Sequence, residues 1–278
     1  MRRRNSTLCY AFLVQIVDLG VRKVCAFLLL FSIVLLVRQV NRYKAILFDV
    51  GGTIVNGDPS EERLLLENFR QLGVQVSYDQ VLGAFCNADR WVLEQAVGMH
   101  SDGHKFPVEK SGAGIELLIY RELCKICGYI GSTETYAKYQ RLVLSPRKWV
   151  LVDAAIQMTL ETLLHKGYRL GVVSNWRAGL EQVLASVGID MYFEIIVPSS
   201  RFGFEKPNPQ ILLHACKEMF VTPGQCMYVG DLPADILCAR LAGMGATLIG
   251  NDAIPLLNEY HIKADYMLQK ASDLLNIM

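Results

Sequence analysis

The sequence predicts an α/β fold: a doubly wound parallel sheet with a second, α-helical domain inserted after the first strand. Three observations support this prediction. Short apolar segments alternate with amphipathic helical segments in the second half of the chain, a similar apolar segment stands alone at residues 44–49, and only helical periodicity separates the two regions. Alternating strands and helices indicate right-handed crossovers and a parallel sheet covered on both faces.

The first predicted strand is the segment "KAILFD", an apolar run that ends at Asp49. Such a run is typical of a parallel strand that is buried on both faces. Four segments with helical periodicity follow it: Ser60–Val74, Tyr78–Val97, Gly114–Ile130 and Glu134–Leu144. We expect no strand between Asn56 and Arg147. The predicted organisation is therefore a core formed by residues 43–56 and 148–278, with an inserted helical domain at residues 57–147.

Helices and strands alternate through the rest of the chain. The predicted strands are "RLGVVSN", "FEIIVP", "CMYVGD", "ATLIG" and "DYMLQ". The predicted helices are "AAIQMTLETLLHKG", the segments near residues 178–187, 209–220 and 234–241, and a last helix at the end of the chain. This order continues the pattern of a parallel sheet with helices on both faces.

Polar residues collect where these predicted strands end. They are Asp49, Ser174, Asn175, Asp231 and Asp235, with Lys206 in the loop after "FEIIVP". Ligands of open parallel sheets bind beyond the carboxyl ends of the strands. We therefore expect a functional site at this edge of the sheet.

Composition is that of a globular protein, and charge is unevenly distributed. The 278 residues are 52% hydrophobic and carry a net charge of +1 at pH 7. Eight of the basic residues lie within residues 1–44, which contain a single acid, Asp18, so the remaining chain is acidic. An acidic body gives no reason to expect a nucleic-acid partner.

The first 42 residues form a basic, hydrophobic segment of their own. Its longest apolar run, Val24–Val37, has 14 residues, fewer than the roughly 20 that a straight helix needs to span a bilayer. Basic residues flank both ends of the run, so charge indicates no orientation. Two interpretations remain open: a membrane anchor through residues 8–40, or an extension upstream of a true start at Val40. The second predicts a cytoplasmic protein, and the first a membrane-anchored one.

The four strand-end segments "FDVGGT", "VVSN", "EKPNPQI" and "VGDLPAD" resemble, in order and spacing, the four motifs of the haloacid dehalogenase (HAD) superfamily. The resemblance spans residues 43–270. Members of that superfamily are mostly Mg²⁺-dependent phosphatases with a Rossmann-like core. The resemblance therefore implies that the inserted helices form a C1-type cap over the site, and that the partner is a small phosphorylated metabolite.

The resemblance also implies a role for each matching residue. Asp49 is the expected nucleophile, which attacks phosphorus and forms an aspartyl-phosphate. Lys206 is expected to neutralise the nucleophile and the transferring group. Phosphoryl contacts are expected from Ser174 and Asn175. Gly52 and Thr53, which follow the nucleophile in the first motif, are expected to make further phosphoryl contacts.

The same resemblance implies a Mg²⁺ site. Its expected ligands are Asp49, the backbone carbonyl of Gly51, Asp231 and Asp235, since Mg²⁺ prefers a few carboxylates together with water and substrate phosphate. Asp235 has an alternative role, which is to orient Lys206.

Gly51 departs from the family pattern. Phosphatases of the family usually carry a second aspartate here, which protonates the leaving oxygen and later activates water. Acid–base catalysis is typically worth about 10²–10⁴-fold. The glycine therefore leaves three possibilities open: slow turnover, a substitute proton donor, or loss of catalysis.

Three functions remain in competition. The first is a phosphatase, the second is a 2-haloacid dehalogenase that uses the same aspartate on carbon, and the third is a weakened member that binds a phosphorylated ligand or a protein partner. The dehalogenase branch does without magnesium and departs from the Gly-Asp pattern of the fourth motif. Gly230 and Asp231 therefore favour a metal-dependent enzyme.

The cysteine pattern predicts inert thiols. "CKIC", with Cys124 and Cys127, has metal-like spacing but lies in a helical stretch, where residues three apart share a face. Cys226 and Cys238 lie in apolar segments, so we expect buried thiols in a reducing compartment.

Overall fold

The computed structural model describes residues 42–101 and 114–278. The hydrophobic N-terminal segment with its possible anchor lies outside these residues. Within them, every helix is too short or too polar to cross a bilayer.

Six parallel strands form the main sheet. They are β1 (Ala45–Phe48), β4 (Arg169–Ser174), β5 (Ile195–Pro198), β6 (Cys226–Gly230), β7 (Gly245–Ile249) and β8 (Tyr266–Leu268). Their order across the sheet is β5-β4-β1-β6-β7-β8. β1 therefore lies inside the sheet, and the strand order reverses beside it, which is the feature of a doubly wound fold.

Helices cover the sheet on both faces. In chain order they are α5 (Ile156–His165), α6 (Leu180–Ser186), α7 (Ser199–Phe202), α8 (Gln210–Glu218), α9 (Pro233–Ala242) and α10 (Ile254–Glu259). Side chains of β1 alternate between the two faces: Ile46 and Phe48 pack in the cluster that contains α5 and α6, and Ala45 and Leu47 pack in the cluster that contains α8 and α9. All four are buried. The predicted α/β class, with a doubly wound parallel sheet, is confirmed.

A block of four helices lies between β1 and β4 in the chain. Its members are α1 (Glu61–Gln71), α2 (Tyr78–Ser101), α3 (Gly114–Ile126) and α4 (Thr133–Val143), and all fall in the segment that was expected to be helical. The block has its own buried cluster, with Leu65 and Phe69 from α1, Leu123 from α3 and Tyr139 from α4. Amphipathic helices stabilise one another in this way when each buries its apolar face.

The prediction of no strand between Asn56 and Arg147 is wrong at its edge. β2 (Val55–Asp58) and β3 (Lys148–Leu151) form an antiparallel ribbon that leads into and out of the helical block. The sequence of β2, "VNGD", contains three residue types that are depleted in strands, so pairing with β3 rather than local propensity forms it. The last predicted helix is a short 3₁₀ segment, Ala271–Asn276.

The predicted burial of the Cys226 and Cys238 thiols is confirmed. Cys226 and Cys238 are buried and carry free thiols. Cys124 is buried on α3, Cys127 is half-buried just after it, and burial raises the pKa of both thiols. Neither residue has the lowered pKa of a reactive thiol.

Candidate active site

Three neighbouring strands bring polar residues to one edge of the sheet. Asp49 follows β1, Ser174 ends β4 and Asp231 follows β6. β1 and β6 are paired with Phe48 opposite Val229, and the backbone N–H of Asp49 donates to the carbonyl of Val229 at 2.8 Å. This parallel register places the carboxyl ends of the strands side by side. Asp49 is only 4% exposed.

Lys206 is buried between two carboxylates. Its Nζ lies 2.5 Å from Asp49 Oδ1 and 2.6 Å from Asp235 Oδ1. It also donates to Tyr228 Oη at 2.9 Å, and this hydroxyl in turn donates to the carbonyl of Val173. Burial opposes the charge of Lys206, but the negative Asp235 and Asp49 outweigh burial and hold the pKa of the lysine well above its usual range. The ammonium is therefore charged and fully engaged.

The side chain of Asn175 holds Lys206 in place. Its Oδ1 accepts from the backbone N–H of Lys206 at 2.7 Å, and its Nδ2 donates to the carbonyl of the same residue at 3.1 Å. Both polar atoms of the Asn175 amide thus hydrogen-bond the backbone of Lys206. Asn175 has a positioning role here, and its predicted contact with a phosphoryl group stays a prediction.

Three carboxylates converge beside this lysine. Oxygens of Asp49, Asp231 and Asp235 lie within 4.8 Å of one another. Thr53 Oγ1 donates to Asp231 Oδ1 at 2.7 Å, so Thr53 orients one member of the group. Three carboxylates outnumber the single ammonium of Lys206, and carboxylate oxygens are the ligands that hard divalent cations prefer. The group could therefore hold a metal ion.

Burial and neighbouring negative charges raise the pKa of two carboxyls in this group, Asp231 and Asp235. Burial and the charges of Asp49 and Asp235 raise the pKa of Asp231 well above its ordinary value. Burial raises the pKa of Asp235 to about 6, although the Lys206 ammonium opposes this rise. Asp235 Oδ1 accepts from Lys206 and its Oδ2 accepts from the backbone N–H of Leu232 at 2.9 Å. These contacts favour the alternative in which Asp235 orients Lys206.

Two glycines make room for the carboxylates. Gly52 has a φ of +77°, and a Cβ on it would lie 2.1 Å from Asp231 Oδ2. A Cβ on Gly230 would lie 2.4 Å from Asp235 Oδ2. Atoms cannot approach so closely, so both positions must lack a side chain for the carboxylates to lie where they do.

Gly51, by contrast, has room for a side chain. Its φ lies outside the left-handed region, and the nearest atom to a Cβ placed there would be Trp176 Cζ3 at 3.6 Å, an ordinary contact. Trp176 follows β4 and packs on Trp149 of β3, with ring centroids 5.3 Å apart. The missing carboxylate at position 51 is therefore not imposed by the backbone.

A model of the family described as haloacid dehalogenase-like hydrolase matches residues 46–249, which is most of the chain and includes all four motifs. The chain belongs to this family. A phosphoglycolate phosphatase of Colwellia psychrerythraea is 28% identical over 207 residues, covering 74% of this chain and 84% of the relative.

Two solved structures share the fold of this haloacid dehalogenase-like hydrolase. One is a predicted phosphoglycolate phosphatase from Haemophilus somnus, at 21% identity and a TM-score of 0.64, covering 86% of this chain and 99% of its own. The other is a dehalogenase, at 19% identity and a TM-score of 0.60, covering 86% and 98%. The family and its phosphatase relatives identify the chain as a phosphatase-like hydrolase.

The helical block of this hydrolase contacts the sheet domain on two sides. On one side, Arg90 of α2 pairs with Glu259 at 2.8 Å, and Leu93 packs against Leu237 of α9. On the other side, Arg177, which follows β4, pairs with Glu116 of α3. Arg90 is thus engaged in a surface ion pair.

Sequence reasoning missed one acidic residue at this contact. Burial and, to a smaller extent, the charge of Asp235 raise the pKa of Asp89 of α2 to about 7. One sequence signal was available: Asp89 shares a helical face with the apolar Leu93 and Ala96. An acidic residue within an otherwise apolar helix face is the sequence feature that distinguishes Asp89 from the exposed acidic residues of α2.

Proposed function

We propose that this hydrolase is a Mg²⁺-dependent phosphatase of a small phosphorylated metabolite, acting through an aspartyl-phosphate on Asp49. The position of Asp49 supports the proposal most strongly. Its buried carboxylate lies at the carboxyl end of an interior strand, 2.5 Å from Lys206 and beside Asp231 and Asp235. A nucleophile, a fixed positive charge and a metal-type donor set thus lie together.

Asp49 attacks the phosphorus of the substrate in the first step. One carboxylate oxygen accepts from Lys206, which leaves the other for the new O–P bond. The bond from phosphorus to the leaving oxygen breaks, and its electron pair goes to that oxygen. Water then attacks the phosphorus of the aspartyl-phosphate, and the pair of the O–P bond returns to Asp49.

Lys206 stabilises the charge that develops during both steps. Its ammonium is preorganised by Asn175, Tyr228 and Asp235, so that little rearrangement accompanies the reaction. A fixed charge in a buried site acts more strongly than one in water. Ser174, Gly52 and Thr53 are the further residues that we propose for phosphoryl contacts.

Asp49, Asp231 and the carbonyl of Gly51 are the residues that would hold Mg²⁺, with Asp235 nearby. Bound Mg²⁺ would neutralise charge on the phosphoryl group and on the carboxylates around it. Burial and the charges of Asp49 and Asp235 raise the pKa of Asp231, and a cation would relieve the part of this rise that the neighbouring charges cause.

The helical block is proposed to act as a cap of the C1 type, formed by residues 57–147. It reaches the sheet domain through α2 and α3, and the ribbon of β2 and β3 connects it to the core at both ends. The relative named as a phosphoglycolate phosphatase favours a small phosphorylated acid as the substrate class. A member that binds such a ligand without turnover is the second candidate, because position 51 lacks the acid–base carboxylate.

The decisive experiment assays the full chain against a panel of phosphorylated metabolites with Mg²⁺ and with excess chelator. Asp49→Asn is assayed beside Asp58→Asn, which removes an exposed carboxylate on β2 and serves as the matched control. Binding of a phosphate mimic to each protein is measured by calorimetry.

We expect turnover that requires Mg²⁺, survives in Asp58→Asn and disappears in Asp49→Asn, because an amide cannot form the covalent intermediate. Residual turnover of Asp49→Asn within about tenfold of the parent would remove Asp49 from the mechanism. Mg²⁺-dependent binding of the mimic without turnover of any metabolite would establish the second candidate instead. Equal binding of the mimic in chelator would count against the metal.

A further inference from the structure

Two buried cysteines lie against each other at the end of the sheet opposite the candidate active site. Cys216 lies near the end of α8, and Cys226 is the first residue of β6. Their Sγ atoms are 3.3 Å apart, and the two residues are 2% and 0% exposed. Among the cysteines of residues 42–101 and 114–278, this is the pair whose sulfurs are in contact.

The separation of the two sulfurs is close to that of a disulfide bond. Both residues carry free thiols in this structure. Bonded sulfurs lie about 2.05 Å apart, so the Sγ atoms of Cys216 and Cys226 need to approach each other by about 1.3 Å. Each cysteine turns its sulfur about a single bond, χ1, and small rotations of both side chains cover this distance. The pair is therefore placed to form a cross-link.

The loop that joins α8 to β6, residues 217–225, lies over the pair at the surface. The Cys226 thiol lies 3.5 Å from the carbonyl of Thr222, an exposed residue of this loop. Phe220 in the same loop is 92% exposed and has a φ of +50°, which is unfavourable for an aromatic residue. An exposed loop opens at a smaller free-energy cost than a buried strand, so opening of this loop gives a small oxidant access to the sulfurs.

The contact between the sulfurs makes one of the two thiols the better nucleophile. The hydrogen bond from the Cys226 thiol outweighs burial and lowers the pKa of the Cys216 thiol. Thiolates, rather than thiols, react with oxidants, so Cys216 is the residue that reacts first. Cys238 differs, because its sulfur donates to the carbonyl of Asn208 at 3.3 Å and burial raises the pKa of its thiol.

We propose that Cys216 and Cys226 form a reversible disulfide when the protein meets hydrogen peroxide, and that this bond fastens α8 to β6. The Cys216 thiolate attacks one oxygen of the peroxide, the O–O bond breaks, and the other oxygen leaves as hydroxide. Cys216 is then a sulfenic acid. The sulfur of Cys226 attacks the sulfur of Cys216 and expels its oxygen.

The protons of the two thiols balance this oxidation. They convert both peroxide oxygens into water, so the two sulfurs lose two electrons and the peroxide gains them. A dithiol such as dithiothreitol reverses the reaction by thiol–disulfide exchange, and is itself oxidised to a disulfide.

The disulfide would join two elements that position site residues. α8 begins at Gln210, shortly after Lys206, and β6 ends at Gly230, directly before Asp231. The sulfurs lie at the other end of β6, away from the carboxylates. We therefore expect the bond to act on the stability of the fold, because closing a loop removes conformational freedom from the unfolded chain.

The test treats full-length proteins with hydrogen peroxide and compares the parent with Cys216→Ser, Cys226→Ser and Cys86→Ser. Cys86 is an exposed free thiol on α2, so Cys86→Ser is the matched control. After the remaining thiols are alkylated, mass spectrometry of unreduced peptides identifies the cysteines that are joined. Thermal unfolding is recorded before oxidation, after oxidation and after treatment with dithiothreitol. Peptide mapping of the parent does not depend on the folding of any variant.

In the parent and in Cys86→Ser, we expect one peptide pair joined through Cys216 and Cys226, lighter than the two free peptides by two hydrogen atoms. Oxidation should raise the Tm of both proteins by about 5 °C or more, and dithiothreitol should reverse the rise. Neither the joined peptides nor the rise in Tm should occur in Cys216→Ser or Cys226→Ser, because each variant lacks one of the two sulfurs.

A parent in which Cys216 and Cys226 stay reduced, at a peroxide concentration that fully oxidises Cys86, would overturn the proposed disulfide. Oxidation of Cys216 to a sulfinic acid without a bond to Cys226 would overturn it as well. A disulfide that forms without raising the Tm of the parent would overturn the proposal that the bond fastens α8 to β6.

Discussion

Three glycines at the ends of β1 and β6 differ in what they contribute. Gly52 and Gly230 each stand where a Cβ would collide with a carboxylate of the site, at 2.1 Å and 2.4 Å. The φ of Gly51 lies outside the left-handed region, and a Cβ placed on it would lie 3.6 Å from Trp176 Cζ3, an ordinary contact. Two glycines therefore make room for the carboxylate group, whereas the backbone at Gly51 leaves room for a side chain.

This difference predicts opposite outcomes for two neighbouring alanine substitutions. Gly52→Ala should lower the free energy of unfolding by about 2 kcal/mol or more, because a left-handed backbone costs a side chain about 1–2 kcal/mol and the methyl group displaces Asp231. Gly51→Ala should change it by no more than about 0.5–1 kcal/mol, because its φ suits alanine. Urea denaturation measures both. Equal destabilisation by the two would show that the backbone at Gly51 is also constrained.

Helix α2 carries most of the contact between the helical block and the sheet domain on one side. Leu93 is fully buried between α2, α9 and α10, and the Arg90–Glu259 pair lies at its edge. The pair is exposed, and exposed pairs typically contribute less than about 1 kcal/mol. Apolar packing of Leu93 is therefore the main stabilising contribution at this contact.

Leu93→Ala should destabilise the protein by about 2–5 kcal/mol, which is the usual range when a buried leucine leaves a cavity. Leu82→Ala on the same helix is the control, since Leu82 is 44% exposed and its loss should cost about 0.5 kcal/mol or less. Chemical denaturation gives both values. Similar losses for the two variants would indicate that α2 does not dock through Leu93.

At the scale of the whole molecule, the candidate site gathers more negative than positive charge. The sheet domain contributes Asp49, Asp231 and Asp235 against the single ammonium of Lys206. Carboxylates in such numbers destabilise a folded protein unless a cation compensates them. Folding and metal binding are therefore expected to be linked.

Mg²⁺ should accordingly raise the free energy of unfolding of the full chain. Binding to the folded state alone gives about 2.7 kcal/mol when Mg²⁺ is about a hundredfold above its Kd. Asp231→Asn removes one proposed ligand and should abolish most of this rise, whereas Asp58→Asn should keep it. The measurement is urea denaturation across a Mg²⁺ series. An undiminished rise in Asp231→Asn would place the bound Mg²⁺ at another site.

Much of the site could be predicted from the order of residues alone. Asp49, Ser174 and Asp231 end apolar strands, and parallel pairing brings such ends to one edge wherever the sheet is doubly wound. The spacing of motifs therefore predicted their meeting before any contact was known. The ribbon of β2 and β3 was missed because "VNGD" has little tendency to form a strand, and its partner lies about ninety residues further along the chain.

What the sequence determined by itself is the alternation of strands and helices, and the identity of the residues at the strand ends, because hydrophobic periodicity is a local property. Only the tertiary structure decided how these residues share their contacts. Asn175 hydrogen-bonds the backbone of Lys206 through both polar atoms of its amide, Gly52 lies against Asp231, and Leu93 of α2 packs against Leu237 of α9. Each of these depends on how segments distant in sequence pack together, which no local pattern specifies.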